Sequence, residues 1–187
     1  MADKVGIVAI QGDFEKHAST FARCGADVCF VKTPEDLAGV GRIVIPGGES
    51  TTVGKLMERF GLGAELVALA RGGMPVWGTC MGMILMAKDV EDYDQYRLGI
   101  LDVTVRRNAF GTQIHSFEDE VSVTGLNDPV TAVFIRAPIV VRCGPGVETL
   151  AAYQDKVVAV RSGNLLGTSF HPELTDDERL HSWFLTW

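Results

Sequence analysis

The sequence predicts an α/β fold, a flavodoxin-like three-layer sandwich whose central sheet is mixed but mainly parallel and carries an additional antiparallel part. Two observations lead to this prediction. Apolar runs of strand length alternate with helical stretches through the first half of the chain, which is typical of a parallel sheet covered on both faces. From Leu101 onward, short β-rich runs dominate and predict the antiparallel part.

Four strands are expected in the first half, separated by helical segments. The strands lie at 5–10, 28–31, 42–45 and 74–77. The helices are expected at 15–24, at a short segment begun by Thr33 and Pro34, at 52–60 and at 64–71. Gly25 ends the first helix, and the pair Gly72-Gly73 ends the last one.

The second half is predicted to be mostly strand. Short β-rich runs lie at 101–105, 121–123, 131–135, 140–142, 150–153, 157–161 and 165–169. A last helix is expected after a capping box at 175–178, with one apolar face made of Leu180, Trp183, Phe184 and Trp187. The sequence contains no repeat, low-complexity tract or linker, so we expect residues 1–187 to form a single domain.

Composition and charge exclude several classes of protein. The 187 residues are 47% hydrophobic, which suffices for one core but is short for two domains. A formal charge of −7 without a run of Lys or Arg argues against nucleic-acid binding, and no apolar stretch is long enough to span a membrane. The opening residues are too short for a targeting segment, and no Cys-x-x-Cys pair is formed by Cys24, Cys29, Cys80 and Cys143. We therefore expect a reduced, cytoplasmic protein.

The most informative segment lies at 75–88, where an apolar run is interrupted by Gly78-Thr79-Cys80-Met81-Gly82. This pattern predicts a strand-to-helix corner that presents Cys80 at a helix N-terminus. Glycines fit such a crowded turn, and the unpaired N–H groups of the helix favour the thiolate, which is the reactive form. The N–H of Met81 is expected to face an oxyanion. The alternative interpretation is a small buried cysteine between two turn glycines.

A base for Cys80 is expected late in the chain, in the step His171-Pro172-Glu173. Pro172 disfavours the helical region for His171, and residues two apart in an extended segment point to the same side. Glu173 would then fix one imidazole nitrogen of His171 while the other nitrogen faces the sulfur. The other three histidines are not followed by a carboxylate two residues later in the chain. They are His17, His115 and His181. The sequence thus predicts Cys80, His171 and Glu173 as catalytic residues.

A second glycine-rich turn, Pro46-Gly47-Gly48-Glu49-Ser50, follows a strand and precedes a helix. It is therefore expected at the carboxyl edge of the sheet, where α/β proteins bind their ligands. It is not a phosphate-binding loop, because the Lys-Ser/Thr step of that motif is missing. The alternative interpretation is an ordinary turn in which Ser50 is the helix N-cap.

These motifs resemble those of the class I (triad) glutamine amidotransferases, and the resemblance covers nearly the whole chain. The corner at Cys80 and the His-Pro-Glu step are shared across that family. Within it, the chain looks most like the glutaminase subunits of pyridoxal 5′-phosphate synthase, because of the blocks at 46–52, 107–111, 134–138 and 169–177. Ala109, where such subunits usually carry serine, and the stretch 112–115 depart from the pattern.

The resemblance implies hydrolysis of the side-chain amide of L-glutamine, with no metal and no organic cofactor. It also implies roles for residues outside the triad. The oxyanion would be bound by Gly47, Gly48 and Met81, and glutamine would be held by Gly48, Glu49, Ser50, Arg107, Ile135 and Arg136. For either arginine, a solvated charge or a loop-organising ion pair is the alternative interpretation.

Ammonia needs an acceptor, and the chain is fully used by the glutaminase domain. The resemblance therefore implies that the synthase subunit of pyridoxal 5′-phosphate synthase is an obligate activating partner, with contacts near Gln11, Glu49 and Asn108. One alternative is the glutaminase subunit of imidazole glycerol phosphate synthase, which has the same triad. Another is a non-catalytic binding or regulatory domain, or a cysteine peptidase or chaperone on a related sandwich, although the His-Pro-Glu step argues against the peptidase-like relatives.

Overall fold

The computed structural model describes residues 4–110 and 116–187, so the atypical stretch 112–115 lies outside the described residues. The strands are β1 (Lys4–Val8), β2 (Val28–Val31), β3 (Val40–Ile45), β4 (Val76–Thr79), β5 (Ala87–Val90), β6 (Leu101–Arg106), β7 (Ser116–Val121), β8 (Val130–Ile135), β9 (Ile139–Cys143), β10 (Glu148–Tyr153), β11 (Lys156–Ser162) and β12 (Leu165–Thr168). The α-helices are α1 (Phe14–Arg23), α2 (Ser50–Arg59), α3 (Leu62–Arg71), α4 (Met81–Met86) and α5 (Arg179–Phe184). Short 3₁₀ turns lie at Pro34–Leu37 and Pro172–Leu174.

The strands form the mixed sheet that the sequence predicts. One large sheet runs in the order β2-β1-β3-β4-β12-β11-β9-β6-β5, and β10 pairs with β11. Strands β2, β1, β3, β4 and β12 run parallel to one another, whereas β11 pairs antiparallel with β12, β9 and β10. A separate antiparallel pair is formed by β7 and β8. The α/β fold class is therefore confirmed, with a parallel part and an antiparallel part.

The parallel part is covered on both faces, as the three-layer prediction requires. Successive strand residues point to opposite faces, so Val76 belongs to one core and Trp77 to the other. The core around Val76 contains apolar residues of α2, α3 and α4. The core around Trp77 contains residues of α1, α5 and β8. Within the described ranges, no helix combines the length and the apolar character that crossing a membrane requires.

The last strand of the chain, β12, lies in the middle of the large sheet beside β4. The register pairs Gly78 with Gly167 and Thr79 with Thr168. One residue further on, the N–H of Cys80 donates to the carbonyl oxygen of Thr168 at 2.7 Å. Because neighbouring parallel strands end at the same edge of a sheet, the residues that follow β4 and β12 are brought together there.

Two strands differ from the sequence prediction. The predicted strand at 121–123 is wrong, because the strand in this region runs from Ser116 to Val121 and most of its residues are polar and exposed. The strand Ala87–Val90 was not predicted at all. No glycine or proline separates α4 from this strand, and its two middle residues, Lys88 and Asp89, are charged and exposed, so it has no apolar run of strand length.

The N-terminus of α5 also differs from the prediction. The helix begins at Arg179, and no capping box forms at 175–178. The hydroxyl oxygen of Thr175 accepts the N–H of Asp177 at 3.2 Å, and the Asp177 carboxylate accepts the N–H of Arg179 at 3.0 Å. These bonds give the backbone N–H groups of the segment side-chain acceptors in a turn conformation. A turn of this kind competes with helix formation. The predicted apolar face is present, since Leu180 and Phe184 are buried.

Candidate active site

Cys80 lies at the corner between β4 and α4 in a conformation that few side chains adopt. Its φ of 48° and ψ of −103° place it outside the helical and extended regions. The corner requires glycine on both sides: a Cβ at Gly78 would lie 2.5 Å from the carbonyl carbon of Gly82, and a Cβ at Gly82 would lie 1.9 Å from the carbonyl oxygen of Ile45. The strained corner thus presents the sulfur, which lies 3.8 Å from the carbonyl oxygen of Ile135.

His171 follows β12 and faces Cys80 across the sheet edge. Its imidazole is buried, and Nδ1 lies 2.7 Å from Oε1 of Glu173. Burial disfavours the charged ring, but the hydrogen bonds with Cys80 and Glu173 outweigh it and raise the pKa of His171 to about 10. The structure therefore brings the three predicted catalytic residues together in an arrangement that favours the imidazolium.

Glu173 reaches His171 from a 3₁₀ turn. The sequence-based expectation of an extended step is wrong at this residue, because Pro172–Leu174 is one turn of 3₁₀ helix. The Glu173 side chain has no exposed surface, and burial raises the pKa of its carboxyl despite the hydrogen bond with His171. Asp13, His171 and Glu173 each place a potential metal-ligand atom within 4.8 Å of the others, but two of the three are already paired as His171 and Glu173.

The glycine-rich loop after β3 packs directly against this pair. A Cβ at Gly47 would lie 2.2 Å from Cε1 of His171. On the other side, Gly12 has a φ of 104°, and a Cβ there would lie 1.7 Å from the carbonyl oxygen of Gly47. The side-chain oxygen of Gln11 accepts the N–H of Glu49 at 3.2 Å. The loop is therefore held between the segment after β1 and the imidazole.

Glu49, and not Ser50, is the N-cap of α2. Its carboxylate accepts the N–H groups of Thr51 and Thr52 at 3.1 and 2.8 Å. Burial opposes ionisation, but the hydrogen bonds from Thr51 and Thr52 outweigh it and lower the pKa of Glu49 to about 2. The Ser50 hydroxyl is instead turned towards Oε1 of Gln95, to which it donates at 2.9 Å. The cap thus fixes a negative charge at the border of the site.

The two predicted arginines differ in their surroundings. The guanidinium of Arg107 lies over the Tyr93 ring at 4.5 Å from its centroid, 4.0 Å from the Glu49 carboxylate and 3.4 Å from Oε1 of Gln95. These contacts support the loop-organising interpretation of Arg107 as well as a binding role. Arg136 is exposed, has a φ of 45° and forms no ion pair with any described residue. Of the alternative interpretations of Arg136, the ion pair is thus not found in the described part of the chain.

One cavity of about 400 Å³ joins these groups. Its lining comprises Gln11, Asp13, Gly48, Glu49, Ser50, Cys80, Met81, Ile84, Arg107, Asn108, Ile135, Arg136 and His171. It offers a fixed carboxylate, two guanidinium groups and a cysteine sulfur within one concave surface. Such a set fits a small molecule that carries both an ammonium and a carboxylate group.

A cysteine on a strand-to-helix corner beside a His-Glu pair narrows the choice of family, and the comparison with known families decides it. Residues 7–187 match the model of the SNO glutamine amidotransferase family. The chain belongs to this family. The resemblance to glutamine amidotransferases that the sequence predicts is confirmed.

Curated relatives of this glutamine amidotransferase carry one name. The chain is 50% identical to the "Pyridoxal 5′-phosphate synthase subunit PdxT" of Geobacillus kaustophilus, over 97% of this chain and 93% of the relative. It is 52% identical to the protein of the same name from Desulforudis audaxviator, over 97% of both chains. A crystal structure of a glutamine amidotransferase superposes with a TM-score of 0.94 at 46% identity, covering 97% of both chains. A structure of PurLQS from Thermotoga maritima, at 16% identity, shares the fold with a TM-score of 0.73.

Several residues around the site of this amidotransferase were not predicted from the sequence. Gln95 contacts Ser50 and Arg107, and His17 lies 3.3 Å from the free oxygen of Glu173. Neither residue belongs to a glycine-rich turn or to a catalytic step in the sequence. The available signal for His17 was its polar ring on the inward face of α1, where Thr20 and Phe21 are also buried.

Proposed function

We propose that this chain is the glutaminase subunit of a pyridoxal 5′-phosphate synthase. It hydrolyses L-glutamine to L-glutamate and ammonia, and it supplies the ammonia to a separate synthase subunit. The name of its curated relatives supports the assignment to that synthase. The observation that carries the chemistry is the position of Cys80, on a strained corner and in the same cavity as His171, whose Nδ1 is 2.7 Å from Glu173.

Glutamine would bind in the 400 Å³ cavity with its side-chain amide towards Cys80. The ionised Glu49 carboxylate, fixed by its capping bonds, would accept hydrogen bonds from the substrate ammonium. Arg107 and Arg136 border the same cavity and would meet the substrate carboxylate. Gly48, Ser50 and the backbone of Ile135 would line the path of the aliphatic chain and the amide.

The reaction proceeds through a γ-glutamyl thioester. The sulfur of Cys80 attacks the amide carbon, forming a C–S bond, while the carbonyl oxygen becomes an oxyanion. When the C–N bond breaks, His171 transfers its proton to the leaving nitrogen, which departs as ammonia. His171 then takes a proton from water, the water oxygen attacks the thioester carbon, and the C–S bond breaks to release glutamate. Glu173 orients His171 and stabilises its charge throughout.

Backbone N–H groups would stabilise the oxyanion. The N–H of Met81 has no partner within the helix, because it belongs to the first turn of α4. The second donor would come from the Gly47-Gly48 loop, which packs against His171. A donor of this kind contributes about 3 kcal/mol to stabilisation of the transition state.

We further propose that the synthase subunit activates this chain and that both act in the cytoplasm. Release of ammonia without an acceptor would waste glutamine, so docking is expected to shift the Gly47-Gly48 loop to its competent form. The surface near Gln11, Glu49 and Asn108 borders the cavity and is the proposed contact. Four cysteines without a disulfide support a reducing compartment. Residues 1–187 are proposed to act as one glutaminase domain.

The test measures glutamate release by the chain alone, with the synthase subunit of pyridoxal 5′-phosphate synthase, and with the cyclase subunit of imidazole glycerol phosphate synthase. We expect strong stimulation only by the first partner, and none with Cys80→Ala. Stimulation only by the cyclase would overturn the assignment to vitamin B6 synthesis but leave the glutaminase chemistry intact. Retained turnover in Cys80→Ala would overturn the triad, and full activity of the chain alone would overturn the activation by a partner.

A further inference from the structure

A row of three buried histidines and one glutamate extends from Cys80 into the protein. His171 contacts Glu173 through Oε1, and Nε2 of His17 lies 3.3 Å from the other carboxylate oxygen, Oε2. Nδ1 of His17 lies 3.0 Å from Nε2 of His181. Neither His17 nor His181 has exposed surface. Helix α1, which is far away in the sequence, and the neighbouring turn Pro172–Leu174 and helix α5 therefore bring these side chains together.

The Oε2 atom of Glu173 is buried and makes no hydrogen bond with any described residue, and Nε2 of His17 lies 3.3 Å from it. A buried carboxylate oxygen without a donor is costly, so the ring nitrogen of His17 has a role that no other described group can take. The N–H of His17 is shared with the hydroxyl oxygen of Thr79, 3.1 Å from Nε2.

The position of the ring protons follows from this arrangement. If Nε2 of His17 carried a lone pair, it would face a carboxylate oxygen across 3.3 Å, which is repulsive. The proton therefore belongs on Nε2, and Nδ1 accepts a hydrogen bond from Nε2–H of His181. Every bond in the row then has one donor and one acceptor: His181 donates to His17, His17 donates to Glu173, and His171 donates to Glu173 from the opposite side.

We propose that His17 is a positioning residue of the glutaminase reaction, whose Nε2–H binds Oε2 of Glu173 and holds the carboxylate so that Oε1 meets His171. The proposal rests on the triad proposed above. His17 does not touch the substrate cavity, so it acts through Glu173. Its effect is twofold, because the bond fixes the rotation of the carboxylate and favours its charged form.

Both supporting histidines are kept neutral by their surroundings. Burial lowers the pKa of His17 well below its usual value, and the neighbouring His181 and His171 act in the same direction. Burial also lowers the pKa of His181 to about 3, with Arg23 adding to this effect and Asp177 opposing it. Besides these histidines, Asp13 faces Glu173 and raises the pKa of its carboxyl. A neutral N–H donor at His17 stabilises the Glu173 carboxylate without placing a second positive charge beside it in competition with the imidazolium of His171.

The test compares His17→Met with His17→Gln, two substitutions of nearly equal size. Only glutamine retains an N–H donor near the position of Nε2. The readout is the rate at which Cys80 reacts with chloroacetamide, measured against pH on the purified chain, together with kcat and KM for glutamine in the presence of the synthase subunit. We expect His17→Met to lower kcat by about tenfold without changing KM, and His17→Gln to restore most of it.

The pH profile separates positioning from packing. Without its donor, the Glu173 carboxylate is protonated more readily, so the acidic limb of the alkylation profile of His17→Met should move to higher pH. In His17→Gln, the acidic limb of the profile should stay at the pH observed for the wild type. Equal losses in both variants, or an unchanged profile in His17→Met, would overturn the role of His17. No reaction at Cys80 in the wild-type chain would instead overturn the triad itself.

A measurement on the unaltered chain remains decisive if both variants fold poorly. The ¹⁵N chemical shifts of histidine ring nitrogens distinguish a protonated nitrogen from one with a lone pair. We expect His17 to be protonated at Nε2 and unprotonated at Nδ1 throughout the neutral range. A His17 protonated at Nδ1 would leave Oε2 of Glu173 without its donor and would overturn the inference.

Discussion

The backbone of Gly47 packs against the imidazole of His171, and no side chain fits between them, since a Cβ at Gly47 would lie 2.2 Å from Cε1. Gly47→Ala should therefore displace the ring from Cys80 and Glu173. A displacement of about 1 Å at a reacting group lowers turnover by about a hundredfold. We expect a loss of this size in glutamate release, measured with the synthase subunit, and a much smaller change in melting temperature.

A glycine outside the site provides the control for Gly47→Ala. Gly72 ends α3 with a φ of −74°, a conformation that alanine adopts readily. Gly72→Ala should leave turnover unchanged. If Gly47→Ala lowered the melting temperature and the turnover in proportion, the loop would be an ordinary structural turn.

The raised pKa of His171 makes stability depend on pH. The ring has an ordinary pKa of 6.5 and a pKa of about 10 in the folded chain, so folding favours the protonated form. The resulting stabilisation is fully present below about pH 6.5 and is lost as the pH rises through about 10. The difference in melting temperature between the wild type and His171→Gln should therefore shrink between about pH 6 and about pH 10. A difference that stays constant over this range would contradict the raised pKa.

Glu49 has two roles that substitution can separate. As the N-cap of α2 it accepts two backbone N–H groups, and as an ionised group on the cavity it is proposed to bind the glutamine ammonium. Glu49→Asp keeps a good capping residue but withdraws the carboxylate by one methylene, so KM should rise while the melting temperature is retained. Glu49→Ala should raise KM and also lower the free energy of unfolding by about 1 kcal/mol. Titration calorimetry measures the affinity for glutamine in variants that also carry Cys80→Ala, and thermal unfolding measures the stability. An unchanged affinity in Glu49→Asp would remove the binding role.

Gln95 joins two residues of the proposed glutamine site. Its Oε1 accepts from the Ser50 hydroxyl at 2.9 Å and from Nη1 of Arg107 at 3.4 Å. Gln95→Met keeps the volume but removes the acceptor, so both side chains should lose their orientation and KM for glutamine should rise severalfold with little change in kcat. Gln95→Glu retains an acceptor and serves as the matched control. If the two variants had the same KM, the acceptor at this position would have no part in binding.

The parallel half of the fold was predictable because local and global signals agree there. Helix α1 follows β1 with a glycine at its end, and the strand before Cys80 is a short apolar run bounded by turn residues. The polar strand Ser116–Val121 was missed, because its side chains are mostly exposed and give no run of apolar residues, although its partner β8 is the next strand along the chain. Strand propensity in such a segment depends on its neighbours, which a single sequence does not reveal.

The residues of the candidate site also fall into two groups, those that the sequence predicted and those that it did not. Cys80 and His171 could be found from short motifs, since a strained corner and a proline step each leave a mark in the sequence. The capping role of Glu49 was not predicted, and the alternative interpretation of the loop named Ser50 as the N-cap, because serine is a common N-cap and the fold alone decides which side chain turns back. His17 could not be predicted, since its link to Glu173 depends on how α1 packs over the end of β12.

The central position of β12 has a consequence for synthesis of the chain on the ribosome. Cys80 emerges directly after β4, long before the strand that precedes His171, and its N–H has no Thr168 carbonyl to bind until Leu165–Thr168 has entered the sheet. A growing chain therefore carries an incomplete sheet with a gap between β4 and β11, and its cysteine lacks both the imidazole and the carboxylate. Closure of that gap pairs the facing edges of β4 and β11 through β12, and it is also the step that brings His171 and Glu173 beside Cys80.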